Sequence, residues 1–357
     1  MSWYKTTGIG IKGISAAVPV NKLDVGMLTQ RFDPAVIHKF VKSTGIMSCH
    51  QARDNQTSSD LGYVAAKNLL DKLDIDIRDI GLLVFVSTSP DYRKPSTSCV
   101  LQKRLELSYD CACMDIVHGC AGFMYGHQTM TAMLASTNAL YGLLILGETT
   151  SKVIDKNERN SMMFGDAGAA VLYERRADEE SITLLKSDGN RYKSLIVPAG
   201  GFRDMHPKHE FFKAEDGELH SKYYLYMNGM DVFNFATTDV YESIKEYLFY
   251  VGKDAGDYDV FASHQANNYI IQRLAKKLRI PKEKVPICLD RYGNTSSVSI
   301  PLLLSDCFGN SVSGVKKILS SGFGIGLAWG VTSFTLDTRY VYPVIETEET
   351  FDEGVMN

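Results

Sequence analysis

Two stretches of the chain, 81–89 (GLLVFVSTS) and 140–147 (LYGLLILG), are apolar runs without polar alternation, and they constrain the fold more than any other feature. A strand that is apolar on both faces must be covered on both, which is the situation of a sheet sandwiched between helices. Residues 169–173 read as a third such strand. Between these runs, 58–73 and 121–136 carry apolar residues at helical spacing, so strands and helices alternate. The pattern repeats later, with a helix at 231–250, a strand at 258–262, a helix at 270–278 and a closing strand near 327–336. This alternation specifies an α/β fold. A local echo suggests two similar halves: a strand at 114–117 leads to Gly119-Cys120 and an apolar helix, and a strand at 287–289 leads to Gly293-Asn294 and another.

A chain of 357 residues has room for two domain-sized units. Its formal net charge of −4, with no long basic run, excludes a surface built to neutralise a nucleic-acid backbone. The N-terminal MSWYKTTG is not a basic region followed by an apolar stretch, and the longest apolar run is too short to span a bilayer. The expectation is therefore a cytoplasmic protein with no nucleic-acid or membrane partner. Seven irregularly spaced cysteines argue against a disulfide framework, so each thiol is judged by its surroundings.

Several motifs have simple structural explanations. Gly8 to Gly13 spells GxGxxG, but the strand before it and the helix after it are missing, so it reads as a strand and turn. Cys111, Cys113, His118 and Cys120 lack the paired-turn spacing of a zinc site, and no metal is expected. The polar segment 200–222 holds His206, His209 and His220 without ligand spacing and reads as a surface excursion or lid.

Three positions point to chemistry. Cys120 follows a buried strand and precedes the small residues that open an apolar helix, where the helix dipole can lower a thiol pKa from ~8.5 into the range ~3.5 to 7.5. His264 in HQAN (264–267) ends an apolar strand, where α/β sites collect functional groups. Asn294 in GNTSS (293–297) sits where a helix cap would serve equally well.

Taken together with CAGF (120–123), FGDAGAAVL (164–172), SDG (187–189), MxGxxVF (227–233) and GFGIGLAWG (322–330), these segments occur in the order of the β-ketoacyl-acyl carrier protein synthase III family. The chain resembles that family from about residue 8 to 336. The resemblance implies an α/β thiolase-like fold of two pseudo-equivalent halves in five α-β-α-β-α layers. An N-terminal half (1–180) would carry the Cys, a C-terminal half (181–340) the His and Asn, and 341–357 would form an acidic, mostly disordered tail.

It further implies a homodimer of condensing enzymes serving fatty-acid synthesis or a specialised pathway, with no cofactor beyond a CoA thioester substrate. Cys120 would take an acyl group from acyl-CoA or another acyl thioester, with the oxyanion held by the backbone N–H groups of Cys120 and Ile325. His264 and Asn294 would then stabilise the enolate left when malonyl-acyl carrier protein loses CO2. A non-decarboxylating thiolase needs a second Cys, and 322–330 contains none.

The chain departs from the family in four places. Lys39 and Ser43 stand where a Trp and an Arg sandwich the adenine of CoA, with Arg159 near a second adenine contact. Lys94 replaces the apolar side chain that a partner subunit contributes to the acyl pocket, whose other wall includes Phe323. Tyr269 replaces an Arg that meets the carrier protein; Lys276, Lys277 and Arg279 offer an alternative docking surface or simply a solvated helix face. Lys39, Ser43 and Tyr269 motivate an alternative in which the acyl group moves to an oxygen or nitrogen nucleophile. A catalytically silent subunit is a third reading, at odds with the retention of Cys, His and Asn together.

Overall fold

The computed structural model describes residues 3–214, 217–311, 314–352 and 354. Its frame is a nine-stranded sheet. The strands are β1 (Trp3–Pro19), β2 (Ile80–Val86), β3 (Ala112–Ile116), β4 (Tyr141–Glu148), β5 (Ala167–Ser187), β6 (Val260–Ser263), β7 (Val315–Gly324), β8 (Ala328–Asp337) and β9 (Ile345–Thr347). Their order is β6-β7-β8-β5-β4-β2-β3, with β1 pairing β5 and β9.

The sequence of pairings repeats. β2 and β4 are parallel (Val84 opposite Leu144), β4 and β5 antiparallel (Leu144 opposite Val171), and β5 and β1 antiparallel (Val171 opposite Ile14). In the same way β6 and β7 are parallel (Ala262 opposite Ser320), β7 and β8 antiparallel (Ser320 opposite Thr332), and β8 and the end of β5 antiparallel (Val331 opposite Leu184). Two pseudo-equivalent halves are thus written in the strand order. β5 belongs to both, running unbroken across position 180.

Helices complete five layers. Thr57 caps the helix α1 (Ser58–Leu73) through a capping box with Asp60, and the helix lays Ala65, Ala66 and Leu69 on the outer face of the first half. The helices α2 (Gly122–Ala135) and α3 (Ser299–Phe308) are apolar nearly all round and buried, as a layer between the two halves of the sheet requires. The outer face of the second half is covered by Tyr241–Val251 and Asn268–Lys277. Among the described residues no helix is long and apolar enough to cross a membrane.

The structure corrects three sequence expectations. The helix expected over 231–250 is two α segments, Gly229–Phe235 and Tyr241–Val251, joined by a π turn at Ala236–Val240. Residues 287–289 form no strand; Leu289–Tyr292 is a short helix. The tail is not disordered where it is described. β9 pairs in parallel with β1, Arg53 bridges Glu348 at 2.7 Å, and the Phe351 ring meets Tyr63 edge-on and lies under the Arg104 guanidinium. Paired backbone and a half-buried aromatic contact outweigh the dispersing effect of the acidic residues. Residues 353 and 355–357 lie outside the described residues.

Candidate active site

Cys120, His264 and Asn294 line one cavity of about 1070 Å³, together with Phe323, Gly324 and Ile325. Each arrives by a different local device. Cys120 stands in the turn between β3 and α2, where the Gly119 carbonyl accepts from Gly122 N–H at 2.6 Å. The end of β7 packs against it, so closely that a Cβ built on Gly324 would lie 2.6 Å from the Cys120 Cβ. Only glycine permits that approach.

His264 continues β6, its N–H donating to Ser321 O at 2.8 Å. Its ring meets Phe323 edge-on, and Nδ1 lies 2.7 Å from Ser299 Oγ at the start of α3. Asn294 follows Gly293, whose φ of 67° turns the chain sharply out of the helix Leu289–Tyr292. Its backbone bridges to Phe164, and its Oδ1 accepts from Ser296 N–H at 2.9 Å. That bond fixes the side-chain amide with Nδ2 as the unused end. Among the described residues neither Asn294 Nδ2 nor His264 Nε2 has an acceptor, and neither the Cys120 nor the Ile325 backbone N–H donates to another residue.

Burial sets the electrostatics. It pushes the Cys120 thiol up to about 12, with the nearby Glu148 carboxylate adding to the rise and Ser296 opposing it. Desolvation of the charged form thus opposes the thiolate that the helix dipole favours at the start of α2. Burial also pushes His264 down to about 3, so its imidazole is neutral and can donate from one nitrogen only.

The remaining candidates divide. Phe323 lines the cavity wall and Ser43 its mouth, beside Lys42 and Tyr269. Lys39 and Arg159 are exposed and do not line it. Lys94 is exposed on the loop after β2 and lines no part of its own chain's cavity. Lys276 and Arg279 are exposed, but Lys277 is engaged, its ammonium donating to Thr237 O at 2.7 Å and lying 4.0 Å from the Tyr241 ring centroid.

In the 200–222 segment a hairpin pairs Phe211–Lys213 with Leu219–Ser221, and His220 bonds Glu158 at 3.0 Å. Among the described residues no group of three or more His, Cys, Asp or Glu side chains is placed to hold a metal ion.

Sequence reasoning did not single out Ser299, Ser296, Ser297, Thr88 or Glu148, all of which surround the three. A charged residue directly after the apolar run 140–147 was the available signal for Glu148.

The chain is similar to known proteins along most of its length. Residues 114–190 match the family described as 3-oxoacyl-[acyl-carrier-protein (ACP)] synthase III, and 251–336 match its C-terminal counterpart. Beta-ketoacyl-[acyl-carrier-protein] synthase III of Streptococcus gordonii is 35% identical over 298 residues, 82% of this chain and 89% of the relative. The Neisseria meningitidis protein of that name is 33% identical over 325 residues, 90% and 97% of the two chains. The crystal structure of a 3-oxoacyl-(acyl-carrier protein) synthase from Burkholderia xenovorans superposes with a TM-score of 0.90 at 32% identity, covering 97% of this chain and 99% of the other. The fold is thiolase-like, as these neighbours are.

Proposed function

The chain belongs to the 3-oxoacyl-[acyl-carrier-protein] synthase III family, and from that membership we propose an acyltransferase that performs decarboxylative condensation in two half-reactions. In the first, Cys120 attacks an acyl thioester, acyl-CoA or a related donor, and the tetrahedral oxyanion is met by the Cys120 and Ile325 backbone N–H groups. In the second, malonyl-acyl carrier protein loses CO2. The resulting enolate is stabilised by His264 Nε2–H and Asn294 Nδ2–H and attacks the acyl-cysteine.

The observation that carries this reading is the set of unused donors beside the thiol in one cavity: His264 Nε2, Asn294 Nδ2 and two backbone amides. A neutral imidazole held at Nδ1 by a hydroxyl suits a donor role and not that of a base. No resident cofactor is required by these steps. Relatives named as synthases favour carbon-carbon bond formation over transfer to oxygen or nitrogen. The reading includes a cytoplasmic homodimer in which Lys94 of one protomer closes the acyl pocket of the other.

Intact-mass analysis after incubation with a panel of acyl-CoAs and acyl carrier proteins, chased with malonyl-acyl carrier protein, tests it. An acyl adduct on Cys120 that is consumed to a β-ketoacyl product is expected. A stable adduct with no product under any chase points to the oxygen or nitrogen acceptor instead, and no adduct from any donor ends the acyl-cysteine reading.

A further inference from the structure

Glu148 ends β4 with its carboxyl fully buried, and among the described residues no Lys, Arg or His bonds to it. A buried carboxylate without a cation is costly to keep. What faces it instead are hydroxyls. Thr88 Oγ1 donates at 2.8 Å and Ser297 Oγ at 3.1 Å, while Ser89 Oγ and Ser296 Oγ donate at 3.4 Å and Thr88 N–H at 3.3 Å to both oxygens.

One of these hydroxyls does more than solvate. Ser296 Oγ also lies 3.7 Å from Cys120 Sγ. A serine hydroxyl has one proton, and donating it to Glu148 leaves the oxygen to accept from the thiol. Hydrogen bonds therefore run in one direction, from Cys120 through Ser296 to Glu148. Ser296 holds this place with φ at 51°, a left-handed conformation that is unfavourable for a non-glycine residue and is found disproportionately at functional sites. The groups that reach Glu148 from the loop after β2, the loop after Gly293 and the start of α2 are hydroxyls, one amide and the Cys120 thiol.

We propose that Glu148 accepts the Cys120 proton through the Ser296 hydroxyl during acyl loading, an assignment that rests on the acyl-cysteine reading of the site. As Sγ approaches the thioester carbonyl, its proton passes to Ser296 Oγ and the Ser296 proton passes to Glu148. The bond from Sγ to the acyl carbon forms, the bond from that carbon to the donor sulfur breaks, and the departing thiolate recovers the proton as Glu148 returns to its carboxylate. No oxidant or further reactant is needed. The acidities fit: burial pushes Glu148 up to about 7 and His264 down to about 3, so the carboxylate is the stronger base at neutral pH.

The test begins with the wild-type protein. The rate of iodoacetamide alkylation of Cys120, followed by peptide mass against pH, should rise with an inflection near 7. A rate that climbs as for an isolated thiol, with no inflection below pH 9, overturns the relay.

Glu148→Gln and Ser296→Ala should each remove that inflection and lower acyl loading at pH 7 by ~10²-fold or more, with recovery toward alkaline pH as bulk hydroxide takes over. Loading at the wild-type rate with the wild-type pH profile in either folded variant also overturns it. If Glu148→Gln does not fold, Ser296→Ala and the wild-type profile decide. If no donor acylates the wild-type protein, the acyl-cysteine reading fails, while the iodoacetamide profile still reports on the relay.

Discussion

Ser299 Oγ lies 2.7 Å from Nδ1 of His264, joining the first residue of α3 to the imidazole that follows β6. With the hydroxyl donating to Nδ1, the ring proton sits on Nε2 and faces the cavity. Ser299→Ala removes this control of the tautomer. Condensation should fall about 5- to 10-fold, the scale of one neutral hydrogen bond, with acyl loading nearly unaffected. Single-turnover loading and malonyl decarboxylation, measured separately, check it; a larger loss in loading than in decarboxylation contradicts the donor role.

The two half-reactions make different demands and should fail separately. Cys120→Ala should abolish the acyl adduct. His264→Ala and Asn294→Ala should still acquire it but lose decarboxylation and condensation by ~10²-fold or more, as for loss of one oxyanion donor. If His264→Ala lost acylation as completely as Cys120→Ala while decarboxylating at the wild-type rate, the roles would have to be exchanged.

Gly324→Ala places a methyl group 2.6 Å from the Cys120 Cβ and 3.1 Å from Sγ. The nucleophile must shift, and loading should drop by at least ~10²-fold with the overall fold retained. Near-ultraviolet circular dichroism and acyl-adduct kinetics on one preparation check both parts.

His127 is buried between Tyr173 and Ser181, bonding each at 2.9 Å, and burial pushes it down to about 4. Its unfolded value is about 6.5, so the stability it contributes is complete above that pH and is lost as pH falls through 4, by up to ~3 kcal/mol. Glu148 and Asp166 are pushed up, to about 7 and about 6, and act in the opposite sense. The His127 part is therefore the difference in slope between wild type and His127→Phe in urea unfolding from pH 7 to 4. Parallel slopes would remove it.

Phe351 meets Tyr63 and Arg104 although it lies in an acidic terminal stretch. Phe351→Ala should cost about 1 kcal/mol, the range of an aromatic pair, seen as a lower urea midpoint at unchanged m-value. An unchanged midpoint would mean the contact contributes nothing to stability.

Legibility in the sequence followed the physics of each segment. Ser58–Leu73 was readable to the residue because its apolar stripe and flanking polar caps agree. β7 escaped notice because Ser320, Ser321 and Gly322 dilute its apolar character, yet the serine hydroxyls are satisfied by Ala262 O and Gly330 O. β9 was hidden by its acidic neighbours, whose charges point outward while the backbone pairs with β1. The segments bearing Cys120, His264 and Asn294 stood out as motifs. The burial that opposes ionisation of the thiol did not, because it depends on which distant segments pack over the turn, and no local pattern encodes that.

β5 is 21 residues long and contributes to both pseudo-equivalent halves, its register against β1 shifting between Thr7–Glu180 and Ile9–Arg175. At ~3.3 Å per residue such a strand approaches 70 Å, and β1 runs antiparallel beside it through both halves. Their pairing slips at the junction of the halves, where 176–179 stand opposite Gly8 alone and Gly8 takes a φ of 81°. The half that bears the nucleophile and the half that bears the donors thus share one pair of strands, and the irregularity at Gly8 is where that pair can bend most easily.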